Sequence, residues 1–293
     1  MSGTDVVCAW AVGAELGEGP VWDCRSNAVY FVDIKGRRIH RLGAQGDTRS
    51  WAAPGQVGFI VPATSGGFVC GLQGGLYHFC ERSGKFTLLH DVERALPHNR
   101  LNDGYVDQHG CLWFGSMDDE EQSPSGALYR LAGAGPVALR EAGIIITNGP
   151  ACSPDGRILY HTDTLARTVS QFDLHADGTV SNQRVFVTIA GSGYPDGMAV
   201  DAAGCVWIAL FGGGRIERYS QAGQLMGSVA FPCSNVTKLA FGGADLRTVH
   251  VTTAWKGLTR AQRAREPLAG ALFSFRAASP GLAPYAFDPG VSL

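Results

Sequence analysis

The feature that most constrains this chain is a repeat. EGPVWD begins at position 18, NDGYVD at 102, NGPACS at 148 and DGMAVD at 196. Each has a short polar or acidic residue, a small turn element, a hydrophobic run, and Asp or Ser five positions on. In the last three, Gly110, Gly156 and Gly204 fall eight residues after the leading residue. A β-branched or aromatic run follows each block (AVYFVDI, CLWFGSM, RILYHTD, CVWIALF), then a third ending in a basic or polar edge (RRIHRL, GALYRL, TVSQFDL, RIERYS). A fainter fourth run, such as RVFVTI or LMGSVAF, closes the unit. Degenerate copies starting at 58 and 237 fill the gaps, the second completed by GALFSF at 270–275. The six starts are separated by 40, 44, 46, 48 and 41 residues. A period of about 40–50 residues with four strands per unit is that of a propeller blade. Six units predict an all-β, six-bladed β-propeller with four antiparallel strands per blade. A sandwich of irregular strands does not explain a phase held from 18 to 237.

Nothing resembling a linker interrupts the series, so residues 1–293 read as a single domain. The run VVCAWAV at 6–12 precedes the first unit without partners of its own, and is expected to supply the outermost strand of the last blade, removing an exposed edge. TRAQRAREPL at 259–268 is the one long helical candidate, an insertion in blade six with a solvated basic face and no assigned function. Composition agrees with short strands and tight turns: 40 glycines in 293 residues and only 17% charged residues. A formal net charge of −2 favours neither nucleic acid nor an anionic membrane as partner. No apolar run approaches the roughly 20 residues of a membrane span, and MSGTDVVCAWAV lacks a basic n-region and a sustained apolar h-region. The eight cysteines are dispersed without a C-x-x-C pair, as expected of reduced residues in a cytoplasmic protein.

In a propeller the first strand of every blade lines the central channel, and all run in the same direction. Residues placed just before those strands therefore ring one mouth. Glu18, Asn102, Asn148 and Asp196 hold that position in blades one, three, four and five, while Val57 or Gly58 and Thr237 hold it in the other two. Asp or Asn there is ordinary turn chemistry. Glu18 is not a turn-former, and should not choose a crowded axis unpaired. Carboxylates and amides on one ring would repel unless a cation neutralised them, and they form a hard donor set suited to Ca²⁺, Mg²⁺, Mn²⁺ or Fe²⁺. Open coordination positions would make such a centre catalytic in type. His161 and Asp163 of YHTDT, on a second strand, read as a packed pair. Asp23, Asp107 and Asp201, at the turns after the first strands, read as structural. No G-x-S-x-G motif supports serine-nucleophile chemistry, and the glycine clusters at 212–214 and 242–243 open no helix.

LGEGPVWD, RLNDGYVD, GSMDDE, ITNGPACSPDG and YPDGMAVD resemble the motifs of the regucalcin/gluconolactonase family across almost the whole chain. Its members are six-bladed propellers that hydrolyse sugar lactones with one divalent metal. The resemblance implies Glu18, Asn148 and Asp196 as metal ligands, with Ca, Fe(II), Mn, Mg or Zn as the ion. It makes Asp196 the base as well, and Asn102 a neighbour of metal water and substrate. It gives Arg100 and Glu120 as groups that hold substrate, with Glu121 or Asp119 as alternatives to Glu120 within DDEEQSPS. VDIKGRRIH, YHTDT, NVTK and GGADLRTV are most similar to bacterial aldonolactonases of pentose oxidation, xylonolactonases among them.

The expectation is a cytoplasmic, monomeric or weakly oligomeric hydrolase that opens a sugar lactone to its aldonic acid. An organophosphate or aryl-ester hydrolase on the same propeller is the rival enzyme reading, disfavoured by Arg100 and Glu120. A non-catalytic interaction propeller has no need of Glu18 at the axis, and the G-H and W-D signature of such propellers is absent. One site with three ligands would be a weak calcium buffer.

Overall fold

In the computed structural model, which describes residues 5–132 and 138–290, the chain forms six four-stranded antiparallel sheets. Blade one runs Gly17–Asp23, Ala28–Asp33, Arg38–Gly43 and Thr48–Ala52, and its strand order from the axis outward is its chain order. Blades two to five repeat this plan, their inner strands being Val57–Pro62, Asn99–Val106, Thr147–Cys152 and Tyr194–Val200. Blade six has Asn235–Gly242 innermost, then Thr248–Ala254 and Leu272–Arg276, and Val7–Trp10 as its outermost strand. The expected closure by the N-terminal run is what the structure contains, and it joins the two ends of the chain by ladder hydrogen bonds.

Burial falls outward across each blade. Every residue of Gly17–Asp23 and Ala28–Asp33 is buried, whereas only Trp51 is buried in Thr48–Ala52. A strand covered on both faces reads as a continuous apolar run, and a rim strand loses the pattern. This gradient explains why the fourth run of each unit is faint in sequence. Blades pack on one another through aromatic side chains. Trp22 of blade one stacks on His250 of blade six, ring centroids 5.6 Å apart, and Phe59 meets Phe114 between blades two and three at 6.1 Å. The turns after inner strands are pinned by carboxylates. Asp107 accepts the Trp113 indole N–H at 2.8 Å, and Asp201 repeats this with Trp207 at 2.9 Å. Asp23 likewise accepts from Ser26 and Arg25, so the three residues read as structural serve that role.

One feature was not legible beforehand. The stretch 280–288 crosses the channel face at the C-terminal ends of the inner strands. It is held by the Ala202 amide on the Pro280 carbonyl, and by reciprocal bonds of Phe287 with Pro62 and Thr64. Leu282 and Tyr285 then cover an apolar basal cavity of about 110 Å³. The 259–268 insertion contains only a short helix, Arg260–Arg265, capped by Thr259 and with no buried residue. No helix among the described residues is long and apolar enough to cross a membrane. All eight cysteines are free, five of them buried.

Candidate functional site

The polar residues singled out in the sequence were expected just ahead of the inner strands. They lie inside them. Glu18, Asn102, Asn148 and Asp196 each sit within or at the edge of a β-bulge, and all six inner strands break register at the same level. A bulge puts two residues opposite one, so a side chain that would alternate away is turned toward the axis. In two of the four, the glycine after the polar residue makes the bulge possible: Gly19 and Gly149 have φ of +51° and +45°, which a side chain adopts only with strain. What looked like a turn before a strand is a kink within one.

The bulges bring Glu18, Arg100, Asn102, Asn148 and Asp196 to one cavity of about 260 Å³. Leu16, Met117, Ile146, Leu165, Tyr194 and Phe211 supply apolar walls. Val57 and Thr237 take no part: Val57 is fully buried, and the Thr237 hydroxyl is committed to the Gly17 carbonyl at 2.6 Å. His161 and Asp163 do not line this cavity; Asp163 accepts the Ala166 amide in a turn. In the DDEEQSPS stretch, Glu120 is exposed and away from the cavity, whereas Glu121 lines it and pairs with Lys256. Asp119 stands behind, accepting from Arg100 (2.8 Å), Lys35 (2.6 Å) and Gln56 (2.7 Å). Burial opposes its ionisation, but those donors outweigh it and hold the carboxyl at about 2.

A chain of hydrogen bonds orients the donors. Arg100, which is buried, donates to the Asn102 side-chain oxygen. The Asn102 amide donates to Asn148 Oδ1 at 2.8 Å and to the Thr147 carbonyl at 2.7 Å. The Asn148 amide donates to Thr164 Oγ1 at 2.9 Å, whose hydroxyl reaches the carbonyl of Pro195 beside Asp196. Asn148, which lines the cavity, is thereby held with one lone pair of its oxygen to spare. Thr164, Lys256 and Asp103 were missed in the sequence. Asp103 was detectable, because its position directly before Gly104 matches that of Asp196 before Gly197.

The electrostatics are those of carboxylates lacking a cationic partner. Glu18 and Asp196 are 4% and 6% exposed, and neither is ion-paired among the described residues. Burial first, and Asp103 second, push Glu18 from 4.5 up to about 8, against Lys238, the Gly19 amide and Arg100. Burial, then Glu18 and Asp103, raise Asp196 well above its ordinary value, against Lys238 and Lys256. Among the described residues no three His, Cys, Asp or Glu side chains cluster as a metal site. The donor set here is two carboxylates and one amide oxygen, and it fits a hard divalent ion, whose charge would relieve both buried acids.

Comparison with known proteins agrees with the six-bladed architecture. Residues 16–255 match the SMP-30/Gluconolactonase/LRE-like region. The chain is 33% identical to the 6-deoxy-6-sulfogluconolactonase of Pseudomonas putida, covering 92% of this chain and 93% of that one. It is 35% identical to the L-arabinolactonase of Azospirillum brasilense, over 92% and 90%. The crystal structure of a calcium-binding regucalcin from Agrobacterium tumefaciens superposes with a TM-score of 0.93 at 28% identity, covering 97% of both chains.

Proposed function

The chain belongs to the SMP-30/gluconolactonase/LRE-like family, and from that premise we propose that this lactonase opens a neutral aldono-1,4- or 1,5-lactone, a pentonolactone foremost, with one bound divalent metal ion. The observation that carries the reading is the convergence of two unpaired buried carboxylates, an amide oxygen and a buried arginine on one cavity. Glu18, Asn148 and Asp196 would hold the ion, which supplies Lewis acidity toward the lactone carbonyl.

The chain's own groups do the rest. Arg100 is fixed by its bonds to Asp119 and to the Asn102 oxygen, so it presents its remaining guanidinium N–H groups without reorganising, which favours orientation of ring hydroxyls, and Asn102 helps to hold it in place. Glu121, from the turn after the second strand of the same blade, offers acceptors at the mouth. No hydrogen bond to the Asp196 carboxylate occurs among the described residues, so once the ion holds it ionised it keeps a free oxygen to take a proton from the attacking water. A cavity of about 260 Å³ is smaller than the roughly 300–1,000 Å³ of sites for drug-sized ligands, and so suits a monosaccharide lactone. The two cations lining it are already paired, Lys256 with Glu121 and Arg100 with Asp119, which favours a lactone without an added anionic group.

The test is a panel of aldonolactones assayed after chelation and again with each of Ca²⁺, Mn²⁺, Mg²⁺, Fe²⁺ and Zn²⁺. Activity on pentonolactones that disappears on chelation and returns with one ion supports the reading. Full activity in chelated protein refutes the metal, and activity confined to anionic lactones refutes the substrate class.

A further inference from the structure

Two ion pairs span the channel from blade three to blade six: Glu121–Lys256 at the mouth, and Asp103–Lys238 beneath the site. The lower pair is buried, Asp103 at 1% and Lys238 at 7% exposure. Taking two charges out of water costs several kcal/mol per ion and seldom adds stability over apolar packing. Its placement suggests a different role.

Asp103 Oδ2 accepts the amide of Gly149, the residue after Asn148, at 2.8 Å, and Oδ1 accepts the Gly104 amide at 2.7 Å. The aliphatic stem of Lys238 lies against Gly197, the residue after Asp196. A Cβ on Gly197 would sit 2.4 Å from Lys238 Cγ and 2.5 Å from its Cβ. The pair thus touches the bulges that carry two of the three candidate ligands. It also acts on the charges above it: Asp103 disfavours, and Lys238 favours, ionisation of both Glu18 and Asp196. Without Lys238, Asp103 would be a third buried carboxylate adjoining Glu18 and Asp196. With it, two remain uncompensated, the charge that one dication neutralises.

We propose that the Asp103–Lys238 pair is the charge-setting floor of the site, a positioning pair that fixes the charge offered to a divalent cation. The inference rests on the metal-dependent reading above. It requires effects of opposite sign from its two members. Lys238→Met leaves an extra carboxylate under the cation and should tighten binding. Asp103→Asn keeps an acceptor for the Gly149 amide but leaves an unopposed ammonium, and should weaken it. Charges this close in a poorly screened interior should each change affinity by about tenfold or more.

The experiment is calorimetric titration of chelated full-length protein with Ca²⁺ or Mn²⁺ alone, with folding checked by circular dichroism. The expected result is a dissociation constant lowered by about tenfold in Lys238→Met, raised by about tenfold in Asp103→Asn, and within about threefold of wild type in the double variant. Lys238→Gln, which keeps a donor for Asp103, serves in place of Lys238→Met should the latter fail to fold. Shifts of the same sign, shifts under about threefold, or a double variant that does not return would overturn the proposal and leave a structural cross-tie. Binding that these variants fail to move overturns the floor alone. Absence of binding by wild-type protein overturns the metal reading and the floor with it.

Discussion

Removing divalent ions and following thermal stability against pH tests the candidate site without any substrate. In the metal-free chain, burial and Asp103 hold Glu18 at about 8 against 4.5. The folded state then binds that proton more tightly than the unfolded chain. Its contribution is fully present below about 4.5 and is lost as pH rises through about 8. Asp196, raised by burial and by Glu18, adds to the loss. Buried His40 and His250, lowered to about 4, work in the opposite direction below their ordinary 6.5. The clean window therefore lies above about 6.5, where at about 1.4 kcal/mol per pH unit Glu18 accounts for about 2 kcal/mol up to pH 8. In a chain of 293 residues that corresponds to a fall in Tm of about 3 °C. Metal-loaded protein is the internal reference, since histidine contributions are common to both forms and the ion displaces the carboxyl protons. At pH 7 a group titrating at about 8 is roughly nine-tenths protonated. Binding should accordingly release about one proton from Glu18 and up to one more from Asp196. Calorimetry in two buffers of different ionisation enthalpy reads that number. A metal-free Tm that stays level between pH 6.5 and 8, or binding without proton release, would refute the reasoning.

Three further outcomes are expected. Asp196→Asn keeps an oxygen for the ion but cannot accept a proton, so kcat should fall by about 10²–10⁴ while the protein stays folded; wild-type kcat in the metal-loaded variant would return the residue to the part of a bulge-former. Glu121→Gln should raise KM for hydroxylated lactones several-fold, with Glu120→Gln silent, because only Glu121 lines the cavity; equal effects would place both outside it. Asp201→Ala strips the Trp207 indole and Arg218 of their acceptor, and should cost about 3 kcal/mol in urea unfolding while leaving kcat unchanged.

The repeat spacing alone determined the propeller, its blade number and the closing role of Val7–Trp10, because a phase that recurs every blade is a one-dimensional record of radial symmetry. It also singled out Glu18, Asn102, Asn148 and Asp196, since side chains at equal phase in successive inner strands must share one level of the channel. Contacts across the axis left no such record. Glu121 and Lys256, like Asp103 and Lys238, are 135 residues apart and meet because blades three and six face each other. The choice between Glu120 and Glu121 rested on a single turn, where a φ of +60° at Glu121 aims one carboxylate inward and leaves its neighbour in solvent. The strap of 280–288 was equally silent in sequence, because it is held by backbone bonds that any residue can make. Phase along the chain specifies depth in the channel, and only closure of the ring decides what lies opposite.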